Sequence, residues 1–359
     1  MLNKPLIAID IGSSSVKLVE LGGGSKKKLR NMGLEMLPPA AVVDGEIKDV
    51  ELVAATVRNL MARLKIVPKG RRTALSVGGS SVLIKRASIG TNSNEELGEQ
   101  VFYEAQQLFQ HDMEDMYFRY QELQTKIVVQ GKKAILLVGA KREVVEQYIA
   151  MVRAVGMKAG VVDCDVLCVA NMFDFNYPVA DAMVASVNVG AAATQVVLTY
   201  NGEFMYTREF FLGGNEFTQR IAETLGVEIE SAEALKVDVS LGRQPVTGEV
   251  QKVINDVNEA LILEIQATLN FFFQNETIPG GVKGISYIFL SGGGARSLGL
   301  DAAIAASLQV PVQIVNPFQR IDVRSAKYDM DYLLAQGPLY GIAVGLALRK
   351  FGDAEKASA

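Results

Sequence analysis

Three stretches of the sequence predict an α/β protein built from two similar domains that face each other across a cleft. The first, residues 6–21 (LIAIDIGSSSVKLVEL), places alternating apolar residues on either side of Gly12, Ser13, Ser14 and Ser15, the pattern of two strands folded about a small-residue turn. The second, residues 185–198 (ASVNVGAAATQVVL), lies over the first without a gap, with Asn188 on Asp10, Gly190 on Gly12 and Ala191 to Ala193 on the three serines. One such hairpin opens each half of the chain, as expected of a duplicated unit. The third is SGGGAR, Ser291 to Arg296, delivered by an apolar run over residues 285–290 of the kind buried in a parallel sheet.

These stretches also carry the candidate chemistry. Glycine lets a backbone approach a ligand with no Cβ in the way, and the three serines present N–H and O–H donors, so the natural guest of the first hairpin is phosphate. Asp10 is a hard oxygen group suited to magnesium through its waters, and Lys17 can return positive charge to the same phosphates. In the second hairpin the corresponding candidates are Asn188, Gly190 and Thr194. Taken singly, each hairpin also reads as an ordinary surface turn. Gly292, Gly293 and Gly294 form a bare backbone on which a flat adenine ring can lie, with Arg296 near its face. Gly213 and Gly214 precede a helix whose N-terminus, from Asn215 to Phe217, is expected to offer free N–H groups to a phosphate or ribose. Glu233 and Lys236 stand three apart on a helix, either as a surface ion pair or as part of the same site.

Composition narrows the class. With 359 residues, 49% of them apolar, the chain has material for two cored domains, and a net charge of −4 argues against a general nucleic-acid binder. Lys26, Lys27, Lys28 and Arg30 read as a solvated hairpin tip after Gly22 to Gly24, the alternative being a patch for anionic lipid or nucleic acid. Two cysteines, Cys164 and Cys168, and one histidine exclude a disulfide framework and a structural zinc cluster. The start lacks the pattern of a signal peptide, and no window approaches the roughly 20 apolar residues of a membrane span. A cytoplasmic protein is the expectation.

Taken in order, residues 29–46 read as a strand, a turn at Pro38 and Pro39, and an extended piece. Asp49 caps a helix to Leu64, with Val53, Val57, Leu60 and Met61 on its apolar stripe, and Val67, Pro68 and Gly70 end it. Residues 73–77 form a buried strand. Residues 82–162 read as an inserted unit of strand, helix, two strands, helix and strand, with a capping box at Ser93 and Glu96, a hairpin pairing 117–129 with 134–140, and a helix over 143–155 stopped at Gly156. Residues 161–173 run from strand into helix and carry Asp165, which reads either as a helix cap or as a functional carboxylate. Residues 250–275 form one long amphipathic helix, and residues 337–350 another whose Gly337, Gly341 and Gly345 allow close packing between the domains.

The paired hairpins and SGGGAR, in this order, resemble the actin-like ATPase superfamily: actin, the seventy-kilodalton chaperones, sugar kinases, FtsA and MreB. Over nearly the whole chain the sequence is most similar to the PilM family of type IV pilus assembly proteins, with an insert placed as in FtsA and a run MEDMYFRYQEL that looks like the acidic-to-DYQVL run of PilM inserts. The resemblance implies an actin-like fold of duplicated ribonuclease-H-like domains, domain I over residues 1–81, 161–184 and 321–351, domain II over 185–320, an inserted docking subdomain over 82–160, and a polar tail over 352–359. It implies ATP and Mg2+ as cofactors, Asp10 as metal ligand, and Glu233 and Lys236 as the ExxK that holds adenosine. Asp165 stands where relatives place the glutamate that orients the attacking water, and Asn188 where they place a second aspartate, so hydrolysis is expected to be slow or absent. The implied role is an adaptor at the inner membrane that docks the cytoplasmic tail of PilN. Other pilus assembly proteins, pilus motor ATPases and a homo-oligomer are further expected associations; nucleic acid and direct membrane insertion are not. A filament-forming FtsA or MreB relative and a small-molecule kinase remain the alternative readings.

Overall fold

The computed structural model describes residues 6–90, 94–108, 113–123, 125, 131–276, 282–324 and 328–352. The chain begins with a meander, β1 (Ile7–Ile11), β2 (Ser15–Gly22) and β3 (Lys28–Met36), followed by a short pair, β4 (Val42–Val43) and β5 (Glu46–Ile47). Helix α1 (Val50–Arg63) starts where expected, because the Asp49 carboxylate accepts the Leu52 N–H at 2.9 Å. Strand β6 (Arg72–Val77) then joins β1 in parallel. Next come β7 (Val82–Gly90), α2 (Asn94–Leu108), β8 (Met116–Glu122) and β9 (Lys132–Lys141), which form a separate antiparallel sheet in the order β7-β9-β8. Helix α3 (Arg142–Val155) ends at Gly156, whose φ of 87° supplies the left-handed cap. Strand β10 (Lys158–Cys164) leads into α4 (Asp165–Asn176).

The second half repeats the plan with β11 (Met183–Val189), β12 (Thr194–Tyr200), β13 (Glu203–Phe210), α5 (Gly214–Leu225), α6 (Ile229–Ser240) and α7 (Gly248–Asn275). It closes with β14 (Tyr287–Ser291), α8 (Leu300–Leu308) and β15 (Val312–Ile314), and the chain returns through α9 (Met330–Gln336) and α10 (Gly341–Leu348). The two large sheets, β10-β6-β1-β2-β3 and β15-β14-β11-β12-β13, have the same order and the same strand directions. The gapless overlay of the two hairpins is therefore a duplication of the whole sheet. Among the described residues no helix is long and apolar enough to cross a membrane.

Two sequence boundaries move. Val144, Val145, Tyr148, Met151 and Val152 of α3 share one core with Ile7, Ile9, Val53 and Leu60, and β10 pairs with β6, so both elements belong to the first unit. The insert itself is residues 82–141, with a small core of Ile89, Leu97, Val101, Ala105, Ile135 and Leu137. Periodicity identifies α3 and β10 as elements but carries no information on which sheet they join. The stretch 337–350 is also not one helix. Residues Gly337–Tyr340, with Pro338, form a tight 3₁₀ turn, and the α-helix begins at Gly341. The Ser93 cap and most of the hairpin extension to residue 129 lie outside the described residues.

Helices α4 and α10 join the units. One continuous core contains Ala8, Val19 and Ala74 of the first sheet, Val184, Val197 and Phe289 of the second, and Cys168, Met172, Val344 and Ala347 between them. The close packing expected of Gly345 is present: a Cβ there would stand 1.9 Å from the Cys168 carbonyl oxygen. On α7 only Phe272 of the three phenylalanines is fully buried; Phe271 is exposed.

Candidate functional site

The first hairpin turn and the C-terminal ends of β1, β6 and β10 share one end of the first sheet, and the second hairpin turn and the C-terminal ends of β11 and β14 share the matching end of the second. In the first hairpin the β1–β2 register sets Asp10 opposite Lys17, and the ammonium lies 3.3 Å from the carboxylate with both side chains largely buried. Gly12 N–H donates to the Ser15 carbonyl at 3.1 Å and the Ser14 carbonyl accepts from Leu37 N–H at 2.9 Å, which fixes the turn. Among the described residues no hydrogen bond engages the N–H or hydroxyl groups of Ser13 and Ser14. Ser15 is buried at the start of β2.

The second hairpin differs. Gly190 N–H donates to the Ala193 carbonyl at 2.9 Å, and the carbonyls of Gly190 and Ala191 accept from Gly214 and Asn215 N–H at 2.9 and 2.8 Å. Of the N–H groups expected from the sequence to be free, that of Asn215 is thus taken by the hairpin and that of Glu216 by the Gly213 carbonyl at 3.1 Å. Gly213 makes this closure possible, since a Cβ on it would stand 2.7 Å from the Gly190 oxygen. Thr194 is fully buried with its hydroxyl donated to the Leu212 carbonyl at 2.6 Å, so it fastens β12 to the loop and is withdrawn from any ligand.

Glu233 and Lys236 form an ion pair of 2.6 Å in which the lysine is largely buried and the glutamate remains exposed. The ammonium also donates to the Gly214 carbonyl at 3.0 Å and to the Thr218 hydroxyl at 2.8 Å. An ammonium has three donors, so Lys236 is saturated by the protein and acts as a clamp between α6 and the Gly213–Gly214 loop. In SGGGAR the three glycines do different work. Gly292 has φ 84° and a Cβ on it would stand 2.2 Å from the Val189 oxygen, and one on Gly294 would stand 2.4 Å from the Val189 side chain. Gly293 alone faces open space, with only Leu339 at 4.0 Å. Arg296 is held against the end of α9 by a 3.0 Å bond to the Ala335 carbonyl, and burial lowers its pKa.

Asp165 is the first residue of α4 and not its cap, which is Cys164. It sits over Gly78, where a Cβ would come 2.3 Å from its Oδ2. Burial, and next the Asp10 charge, push its pKa up to about 7, with Ser76 and Lys17 acting in the opposite direction. Across the cleft a polar chain crosses the second sheet: the Ser291 hydroxyl donates to Asn188 at 3.1 Å, Asn188 to Gln195 at 3.4 Å, and Gln195 to Glu209 at 2.7 Å. Asn188 is therefore a cross-link between β11, β12 and β14, occupied on both sides of its amide. Burial raises the pKa of Glu209, with Gln195 and the Gly79 N–H holding it down. Gly78, Gly79, Val82, Asp165, Gln195 and Glu209 line a pocket of about 190 Å³ between the two units and the base of the insert. Sequence reasoning missed Gln195 and Glu209, although a glutamine within a fully buried apolar strand is a legible signal.

The groups present suit a phosphate-bearing ligand in part. Ser13 and Ser14 offer unengaged donors beside a buried carboxylate–ammonium pair, and Gly293 offers open backbone. Among the described residues no group of three or more His, Cys, Asp or Glu side chains is placed to hold a metal ion by itself.

Duplicated sheets, facing glycine hairpins and two connecting helices define an actin-like fold. Solved structures similar to this chain include a "PilM-PilN type IV pilus biogenesis complex", at 22% identity and a TM-score of 0.84 over 97% of this chain and 98% of that one. The ethanolamine utilization protein EutJ from Carboxydothermus hydrogenoformans is 16% identical, with a TM-score of 0.57 over 97% and 89%. MreB 5 of Spiroplasma citri bound to AMPPNP is 14% identical, with a TM-score of 0.53 over 96% and 95%. The family model for the type IV pilus assembly protein PilM matches residues 8–351, and the chain belongs to that family.

Proposed function

We propose that the chain is an adaptor of the type IV pilus assembly platform that binds Mg-ATP in the cleft and docks the N-terminal tail of PilN on its insert. The observation that carries nucleotide binding is the pair of serines with unengaged donors beside Asp10 and Lys17, in a chain of this family whose Gly293 is left open. When bound, Mg-ATP would supply an anionic triphosphate and its cation; Ser13 and Ser14 would donate to the phosphates, Lys17 would offset their charge, and Asp10 would be the carboxylate toward the metal. Asp165, with a pKa near 7, is suited to take a proton from water. Asn188 spends its amide on Ser291 and Gln195, which leaves the second unit without a carboxylate at that position and supports slow turnover.

The PilN reading rests on the family, on the likeness to the PilM-PilN complex, and on an insert that has its own sheet and core beside the cleft. Such an adaptor works in the cytoplasm, held at the inner membrane by its partner. Val82 and Ala140 are direct cross-strand partners, so residues 83–139 can be excised and the ends joined by a short Gly-Ser turn while α3 is retained. Fluorescence anisotropy with a labelled PilN tail peptide should show capture by the full chain, little affected by salt because the contacts are apolar, and no capture by the excised protein. An excised protein that is folded, responds to Mg-ATP and still takes up the peptide at full strength would move the docking site elsewhere.

A further inference from the structure

The end of the first unit opposite the cleft gathers basic side chains from chain segments far apart in sequence. The strand registers define this end: Gly22 pairs with Lys28, and Arg72 with Lys158. Lys26, Lys27 and Lys28 lie there on the β2–β3 turn, Lys69 on the turn before β6, Arg72 at the start of β6, and Lys158 at the start of β10. All six are exposed except Lys27, which is partly buried. Among the described residues none of the six has a carboxylate within ion-pair distance. The acids nearby are already engaged: Glu20 is buried under Arg71 at 2.6 Å, and Asp322 is held by Arg324 at 3.0 Å. Burial, and next the nearby Lys350 ammonium, lower the Lys27 pKa.

Two apolar side chains stand within this basic end. Val67, on the same turn as Lys69, is 72% exposed, and Phe351 is 51% exposed with the Arg72 guanidinium 3.9 Å above its ring. In a chain of net charge −4, this concentration of cations at one end is a separation of charge, with the opposite end of the sheet carrying the buried acids Asp10 and Asp165. Asp322, bridged to Lys28 through the backbone, is an acid whose charge that lysine favours; like charges held together with so little counter-charge cost free energy that an anionic surface would recover.

We propose that this end of the first sheet docks on an anionic phospholipid bilayer, with Lys26, Lys27, Lys28, Lys69, Arg72 and Lys158 facing the headgroups and Val67 and Phe351 entering the interface. The predominance of lysine, a compact hydrated point charge, suits a diffuse anionic surface better than a bidentate partner. Among the described residues no row of stacked rings of the kind that seats nucleic-acid bases marks this end. Docking in this way leaves the insert and the cleft, at the other end of the strands, open to partner and ligand.

The test is sedimentation of the full chain with vesicles of phosphatidylethanolamine and phosphatidylglycerol, against vesicles of phosphatidylcholine alone, at low and at raised salt. Wild type should pellet with the anionic vesicles only, and raised salt should release it. The triple variant Lys26→Ser, Lys28→Ser, Lys69→Ser should bind at least tenfold more weakly, from about fivefold per removed charge. The triple variant Lys85→Ser, Lys132→Ser, Lys252→Ser carries the same charge change on other exposed faces and should bind as wild type does. Phe351→Ser should weaken binding without altering its salt dependence. The proposal is overturned if wild type stays in solution with anionic vesicles, if the two triple variants lose binding equally, or if duplex DNA competes the protein off vesicles at equal phosphate.

Discussion

Replacing Asp165 by asparagine should stabilise the unliganded protein at neutral and alkaline pH. The carboxylate is buried at the head of α4, where desolvation and the neighbouring Asp10 push its pKa to about 7 from an ordinary 3.8. Between those values the folded state holds a proton that the unfolded state has released. Stability is therefore fully present below pH 4 and declines as the pH rises toward 7. A shift from 3.8 to about 7 is just over three units, which at about 1.4 kcal/mol per unit amounts to about 4 kcal/mol at most. Asparagine keeps the shape and carries no charge, so it escapes this cost. Urea unfolding of Asp165→Asn and wild type, both in EDTA, should show the variant more stable by up to about 4 kcal/mol at pH 8, with the difference shrinking steadily as the pH falls and vanishing below pH 3.8. A variant that is less stable at pH 8, or a difference that does not change with pH, would refute the view that Asp165 is a strained buried acid.

Gly345→Ala should unfold or severely destabilise the chain, by about 3 kcal/mol or more, because its Cβ would meet the backbone oxygen of Cys168 at 1.9 Å and no flexible side chain can yield there; circular dichroism melting checks this. The double variant Asn188→Asp, Asp165→Glu should release phosphate from ATP faster than wild type, and the lost amide bond to Gln195 should cost about 1–2 kcal/mol of stability. A wild type that already turns over many times per second would remove the reason for that prediction.

The duplicated sheet was legible because its signal is local: small-residue turns between alternating apolar runs recur at the start of each half, and the structure repeats the strand order around both. The insert was legible as a unit but not at its edge, since α3 and β10 have the periodicity of any helix and strand, and only contact with Ile7, Val53 and β6 assigns them to the first unit. At the site, sequence could nominate residue types but not say which were already engaged. Thr194, the N–H groups of Gly214 and Asn215, and Lys236 all look like ligand donors along the chain, and folding satisfies them with carbonyls of neighbouring loops. Buried polar groups must find partners, and hairpin carbonyls are nearer than any ligand. The same reasoning hid Gln195 and Glu209, whose role in bridging the second sheet to the pocket depends on the β12–β13 register.

Nucleotide binding in this cleft is the central claim, and Gly293 offers the most direct test. Its backbone has φ −65° and ψ −39°, which any residue adopts, and a Cβ there meets nothing nearer than Leu339 at 4.0 Å. Gly293→Val should therefore fold with a midpoint close to that of wild type while covering the open backbone. Ligand that binds only the folded state adds about 2.7 kcal/mol at a hundredfold excess over Kd, so millimolar Mg-ATP should raise the wild-type melting midpoint by several degrees and leave Gly293→Val where it was. A wild type unmoved by Mg-ATP, or a Gly293→Val protein that shifts as far as wild type, would contradict the account.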